Sequence, residues 1–261
     1  MKVDIIQKSD RKITFLLEGT TPQFANAIRR ISMVEIPNLA VTYVDFSKND
    51  SVLYDETIAH RLALIPFVFN VKDFEFKETC SCEGKGCTLC EVVFAVNKKG
   101  PCTVYSKDIK SSNKSVTPLY ESIPIVELLD GQEIKFAAAA SLGTGRDHAK
   151  FTAAVSFYRY YPNVKMNTQV KNPEICIKNC PKNALDIKGN KATVNTDCDL
   201  CKECIRVAEP KDSLNIWGDD TKFIFTVESI SGLNAEEILT TAIKILKDKA
   251  SDLEKGIKKM K

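Results

Sequence analysis

All but one of the ten cysteines in this chain fall in two short windows, 80–90 and 176–204. Nothing else in the sequence limits the possible folds as sharply. Paired into disulfides, such clusters would suit a small secreted scaffold. Here they sit in 261 residues whose opening, MKVDIIQKSDRK, scatters its charges and carries no apolar leader, so the chain is expected to be cytoplasmic. In that setting tight cysteine clusters read as metal ligands. Cys102 stands outside both windows and reads as a lone buried thiol.

The second window, CIKNCPKNALDIKGNKATVNTDCDLCKECIRVAEP, is the more specific. Cys198, Cys201 and Cys204 form CxxCxxC, a spacing that lets three thiolates of one loop cap three irons of a cubane. The fourth iron needs a remote ligand. In bacterial-type ferredoxins that ligand is a distant cysteine followed by proline, and Cys180 precedes Pro181. The intervening stretch suits a short helical turn and a hairpin closed by Gly189 and Asn190. A second cluster would draw on positions 170, 173, 176 and 208, which hold Val170, Pro173, Cys176 and Ala208. Three of those four ligands are missing, so one 4Fe-4S cluster is expected, with Cys176 an orphan packed near it. Zinc on the same thiolates, a 3Fe-4S form and a metal-free form stay open, because soft thiolate sets accept both zinc and clusters.

The first window, CSCEGKGCTLC, spaces Cys80, Cys82, Cys87 and Cys90 as CxCxxxxCxxC. Gly84 and Gly86 supply turns that let four sulfurs converge, and four thiolates leave no open position for catalysis. Structural zinc is the expectation, a flexible cysteine-bearing loop the alternative.

Around these windows the pattern is mixed. Val3 and Ile5, then Ile13, Phe15 and Leu17, alternate as an opening hairpin. Thr21 followed by Pro22 predicts a helix start, with Phe24, Ala27, Ile28 and Ile31 on its inner face and Arg29 and Arg30 turned away. A strand is expected over Val41–Phe46, a short helix over Asp55–Leu64, and a β-rich stretch between 90 and 150. Asn234 and Glu237 open the last helix, along which Leu239, Ile243, Leu246, Ala250, Leu253 and Ile257 repeat as a heptad seam. Over 234–259 it would run roughly 39 Å at 1.5 Å per residue, longer than the chain's own core requires. The seam can face another protein, or the helix can lie on its own sheet, or both.

Several function classes are excluded. Lys plus Arg (37) barely exceeds Asp plus Glu (34), so no basic field holds a nucleic-acid backbone, and direct sequence-specific DNA binding is not expected. Only His60 and His148 are available for histidine chemistry, and neither a phosphate-binding glycine loop nor a dinucleotide fingerprint occurs. Asp197 and Asp199 flank a cysteine, and Asp219 and Asp220 sit in a polar turn, so no aspartate group resembles a two-magnesium polymerising site. No apolar run is long enough to span a membrane.

One resemblance gathers these features. FANAIRRISMVEIPNLAVTYVDFSKNDSVLYDETIAHRLALIPF resembles the signature of the D-subunit family of archaeal DNA-directed RNA polymerases and its eukaryotic third-largest-subunit relatives, through Asn26, Arg29, Arg30, Ala40, Val44, Asn49, Ser51, Asp55, Glu56, Ala59, Arg61 and Leu62. LGTGRDHAKF, residues 142–151, is a second matching block, and the family is related to the amino-terminal domain of the bacterial alpha subunit. The resemblance implies an α+β fold: an alpha-subunit-like dimerisation domain in three parts (1–39, 151–165 and 221–261), a β-rich insert domain at 40–150 carrying the cysteine loop, and a ferredoxin-like module at 166–220. It implies a non-catalytic scaffold within a nucleotidyltransferase complex. The heptad helix would pair with subunit L, the Arg29 and Arg30 face would dock on the large catalytic subunits, and small subunits N and P would join. The Cys80–Cys90 loop resembles the zinc loop of the eukaryotic relatives, although many archaeal members lack it. A cluster in the module would act structurally or as a redox sensor of assembly. The competing class is a single-cluster ferredoxin-type electron-transfer protein fused to an interaction domain.

Overall fold

The computed structural model describes residues 1–259, a mixed α+β protein with several small sheets. Positions 260 and 261, the end of the stretch expected to complete the dimerisation domain, lie outside the described residues. The chain divides into two compact units, neither continuous in sequence. One holds Met1–Lys8, Ile13–Arg29 and Phe157–Thr226; the other holds Ser9–Lys12, Arg30–Ser156 and the residues from Val227 on.

The first unit is organised by a four-stranded sheet in the order Lys2–Lys8, Lys12–Glu18, Leu214–Ser229, Ala154–Met166. The opening hairpin forms as its alternation predicts, pairing Val3 with Leu17 and Ile5 with Phe15. Ile13, Phe15 and Leu17 turn inward. Phe15 stacks on Phe225 at 5.3 Å, and Tyr158 and Tyr160 each lie 5.4 Å from Phe223, so aromatic rings from three strands cover one face. The first helix, Pro22–Val34, starts where Thr21 caps it, its hydroxyl accepting from the Phe24 amide at 3.4 Å. Its buried line is Ala25, Ile28, Ile31 and Ser32, while Phe24 and Ala27 are only partly covered. The inner face is therefore rotated from the predicted one: small Ala25 and Ser32 allow close approach, and the bulky Phe24 lies at the margin of the first turn.

Between Met166 and Leu214 the same unit carries two short helices, Pro173–Lys178 and Glu203–Val207, and a hairpin pairing Leu185–Lys188 with Lys191–Val194 across Gly189 and Asn190. Asn172 ties its ends together, donating to the Val207 carbonyl at 2.8 Å and accepting from the Glu209 amide at 2.9 Å.

The second unit contains an antiparallel sheet ordered Asn38–Asn49, Glu133–Gly143, Glu91–Lys99, Lys110–Ser111. Val92, Phe94, Val96, Ile134, Phe136 and Ala138 form its buried face, Phe67 stacking on Phe94 at 4.5 Å. The helix Asp55–Ala63 adds fully buried Ile58 and Leu62. Asn49 shapes the loop before it, donating to Asp55 at 2.7 Å and accepting from the Ser51 hydroxyl at 2.6 Å. Cys102, expected to be buried, opens the short strand Cys102–Tyr105 half-exposed, its thiol donating to the Lys99 carbonyl. At Gly232 an added Cβ would fall 1.7 Å from the Phe67 carbonyl oxygen, so the approach to the last helix admits only glycine. That helix spans Ala235–Lys259, and the Asn234 amide donates to Glu237 at 3.1 Å.

Candidate metal centres and interaction face

Two features position the thiols of the first window. Tight turns close the backbone, with amide hydrogen bonds from Cys80 to Phe76, Glu83 to Cys80 and Cys90 to Cys87. Gly84 and Gly86, at φ +77° and +89°, take left-handed conformations that a side chain would strain. The result brings Cys80, Cys82, Cys87 and Cys90 together with all four sulfurs within 4.8 Å of one another. The Cys80–Cys87 and Cys82–Cys90 sulfurs stand 3.5 Å apart and Cys87–Cys90 3.8 Å. Metal–sulfur bonds of about 2.3 Å in a tetrahedron give an edge of roughly 3.8 Å, so the set has the dimensions to hold one metal ion.

Its protonation fits the same role. The Cys82 amide pulls the Cys80 thiol down, but burial and hydrogen bonds with Cys87, Cys82 and Cys90 outweigh it and push it up to about 12. Burial raises Cys82, yet hydrogen bonds from Cys90 and Cys80 and the Gly86 amide bring it down to about 7. One sulfur thus ionises near neutrality while its neighbours share protons with it, and a bound cation would displace those protons.

In the second window, Cys180, Cys198, Cys201 and Cys204 come together as an electrostatic group. Burial, then the charges of Cys180, Cys198 and Cys201, push Cys204 up to about 11. Burial also raises Cys198, with Cys180 and Cys201 among the charges acting on it. Cys198 and Cys204 are buried, Cys180 is partly covered and Cys201 is exposed. Cys180 Sγ accepts from the Ala184 amide at 3.3 Å. The CxxCxxC loop turns through two left-handed residues, Leu200 and Lys202, at φ +60° and +61°. These sulfurs are more widely spread than the first set: among the described residues, no three of them lie within 4.8 Å of one another. Val170, Cys176 and Ala208, at places a second cluster would need, are buried in one apolar core with Cys198 and Cys204.

The last helix turns a different line inward from the heptad seam. Ala235, Ile238 and Ala242 are buried, and beyond them Lys249 pairs with Glu35. Glu35 also binds Arg146 at 3.0 Å, so one carboxylate joins the end of the first helix, the 144–148 turn and the last helix. The sequence pattern missed this triad, whose partners lie 111 and 214 positions apart. Of the seam, Leu239 and Leu246 are partly covered, while Ile243 is 49% exposed, Leu253 67% and Ile257 53%, and Ala250 is exposed. Arg29 is half-covered and donates to Asn26 at 3.0 Å, and Arg30 is exposed. No helix among the described residues is long and apolar enough to cross a membrane.

Against known proteins, residues 43–156 match the family described as the RNA polymerase Rpb3/RpoA insert domain, a segment that includes most of the antiparallel sheet and the first cysteine set. Over 97% of this chain and 97% of the relative, the sequence is 38% identical to DNA-directed RNA polymerase subunit Rpo3 of Methanosphaera stadtmanae. The chain belongs to the archaeal Rpo3 family of RNA polymerase subunits. The Rpo3 protein of Archaeoglobus fulgidus is 37% identical over 99% of this chain and 98% of its own length. That of Methanothermobacter thermautotrophicus is 36% identical over 97% of each.

Proposed function

We propose that this chain is a non-catalytic assembly subunit of DNA-directed RNA polymerase that pairs with subunit L through its last helix. The observation that carries the reading is family membership across nearly the full length, joined to a heptad seam in which Ile243, Leu253 and Ile257 stand about half exposed or more. Ile243, Leu253 and Ile257 offer the kind of continuous apolar line that a facing helix buries. The dimerisation domain comprises 1–39, 151–165 and 221–261, the insert domain 40–150 and the ferredoxin-like module 166–220. Arg29 and Arg30 face the large catalytic subunits, and subunits N and P complete the platform.

Cys180, Cys198, Cys201 and Cys204 hold one 4Fe-4S cluster in that module. The CxxCxxC spacing with a remote cysteine before proline supports a multi-iron body, and the Ala184 amide on Cys180 Sγ suits a ligand thiolate. When bound, the cluster supplies a covalent cross-link between the Cys180 turn and the 198–204 loop of a small core. Cys80, Cys82, Cys87 and Cys90 hold a structural zinc, for which their sulfur separations have the tetrahedral size. An electron-transfer ferredoxin would need no relation to a polymerase subunit outside the module, whereas the likeness runs along the whole chain.

Anaerobic co-expression with subunit L tests the reading. A stable heterodimer carrying about four irons, four acid-labile sulfides and one zinc is the expected result. Failure to associate with subunit L would overturn the assembly role, and absence of sulfide would overturn the cluster. Cys82→Ser is expected to lower the zinc content to near zero at neutral pH while leaving iron and sulfide unchanged, as read by elemental analysis of the heterodimer.

A further inference from the structure

We infer that Leu200 is a positioning residue that ties cluster occupancy to the order of the four-stranded sheet, acting through a notch at Gly218 against Tyr160. The inference rests on the reading of Cys180, Cys198, Cys201 and Cys204 as cluster ligands.

Leu200 lies between Cys198 and Cys201, and its φ of +60° is a left-handed conformation that costs a branched side chain steric strain. Lys202, on the far side of Cys201, is strained in the same way. Within the loop the Leu200 amide hydrogen-bonds the Cys198 sulfur and the Cys201 amide donates to Asp199 at 3.2 Å, while Cys201 itself is exposed. Leu200, by contrast, packs on the module's apolar core.

Its end point is a specific one. A Cβ added to Gly218 would lie 2.5 Å from Tyr160 Cβ and 3.0 Å from Leu200 Cδ1, so both side chains close over the space a side chain at 218 would take. From Tyr160 the contacts continue ring to ring. Tyr160 lies 5.4 Å from Phe223 and 6.2 Å from Tyr158, Tyr158 stacks on Phe225 at 6.0 Å, and Phe225 stacks on Phe15. All of these residues belong to the same compact unit. The loop that carries three ligands therefore brings one leucine to Gly218 beside Tyr160, at the margin of the sheet's aromatic layer.

Bound thiolates hold the loop in its left-handed turn and keep Leu200 seated. Without them the turn relaxes to ordinary backbone angles, Leu200 leaves the notch, and Tyr160 loses the packing on one side. The sheet then senses the cluster without any ligand residue belonging to it.

The test uses the full chain, prepared anaerobically with its cluster and again after iron removal by chelator and oxidant. Amide exchange over 221–226 and emission from Trp217, the only tryptophan, are read in both states. Cluster removal is expected to speed exchange over 221–226 by about tenfold in the unaltered chain. Leu200→Ala, loaded with iron and sulfide, is expected to exchange quickly in both states, and Leu200→Met to restore the difference. Equal protection with and without cluster in the unaltered chain would overturn the inference, as would a full response in loaded Leu200→Ala. Should Leu200→Ala take up no cluster, the unaltered chain and Leu200→Met decide. Absence of iron and sulfide from the unaltered chain would instead overturn the cluster assignment.

Discussion

Replacing Leu253 and Ile257 together by glutamate is expected to weaken association with subunit L by roughly 30- to 700-fold, while the isolated chain keeps its fold. Both side chains are more than half exposed, so the unpartnered protein gives up little packing when they change. Covering a large aliphatic side chain contributes about 1.5–3 kcal/mol, and these two are partly covered already, so their joint loss in a complex is about 2–4 kcal/mol. Each 1.4 kcal/mol is about a factor of ten in the dissociation constant. Titration calorimetry of the two purified subunits measures the change, and circular dichroism checks the fold. The inner line of the same helix supplies the contrast: Ile238→Glu places a charge at a fully buried position and is expected to lower stability of the chain itself. An unchanged dissociation constant for the double variant would remove the seam from the interface.

How much of this arrangement could be read from residues alone depended on distance along the chain. The heptad seam is conspicuous because Leu, Ile and Leu recur at regular spacing, yet the line that docks the helix at home is Ala235, Ile238 and Ala242. Alanines carry a weak hydrophobic signal but let a helix approach closely. The first helix repeats the lesson, since Ser32 is fully buried where the pattern favours larger apolar neighbours. Local devices were legible: the Thr21 cap, the Gly189–Asn190 hairpin and the Asn234–Glu237 contact follow from short-range chemistry. The Glu35 triad was not, because nothing in a local window ties Glu35 to Arg146 or Lys249.

The cysteine sets divide the same way. Four thiols within eleven consecutive positions can be grouped from spacing, and the fold brings those sulfurs within 4.8 Å. Cys180 required a rule about a remote ligand before proline, and the structure sets it in one electrostatic group with Cys198, Cys201 and Cys204. The notch at Gly218 could not be foreseen. A glycine within a long strand signals a close approach without naming the partner, here Leu200 from a loop eighteen positions away.

Cys198→Ala is expected to leave residues 167–213 unfolded while the remainder of the chain stays folded. That segment has two helices of six and five residues and two four-residue strands, too little regular structure to be stable by backbone hydrogen bonding alone. Its core leans on Leu214 and Ile216 of the adjoining strand, and two of its own buried members, Cys198 and Cys204, are thiols that burial pushes up, which disfavours the free thiolate. Such a core falls below the size at which apolar burial exceeds chain entropy, so the metal's binding energy becomes folding energy. Removing one thiolate forfeits an iron bond and leaves the remaining three to hold an incomplete body. Limited proteolysis should cut within 167–213 at least tenfold faster than in the unaltered protein, with the resistance of 38–156 unchanged. The insert unit's own core of Phe67, Phe94 and Ile134 lies in the other compact unit, which is why the loss stays local. A protease-resistant 167–213 segment in Cys198→Ala material free of iron would mean that these few side chains suffice, and the cluster would then have to be kept for electrons or for sensing rather than for structure.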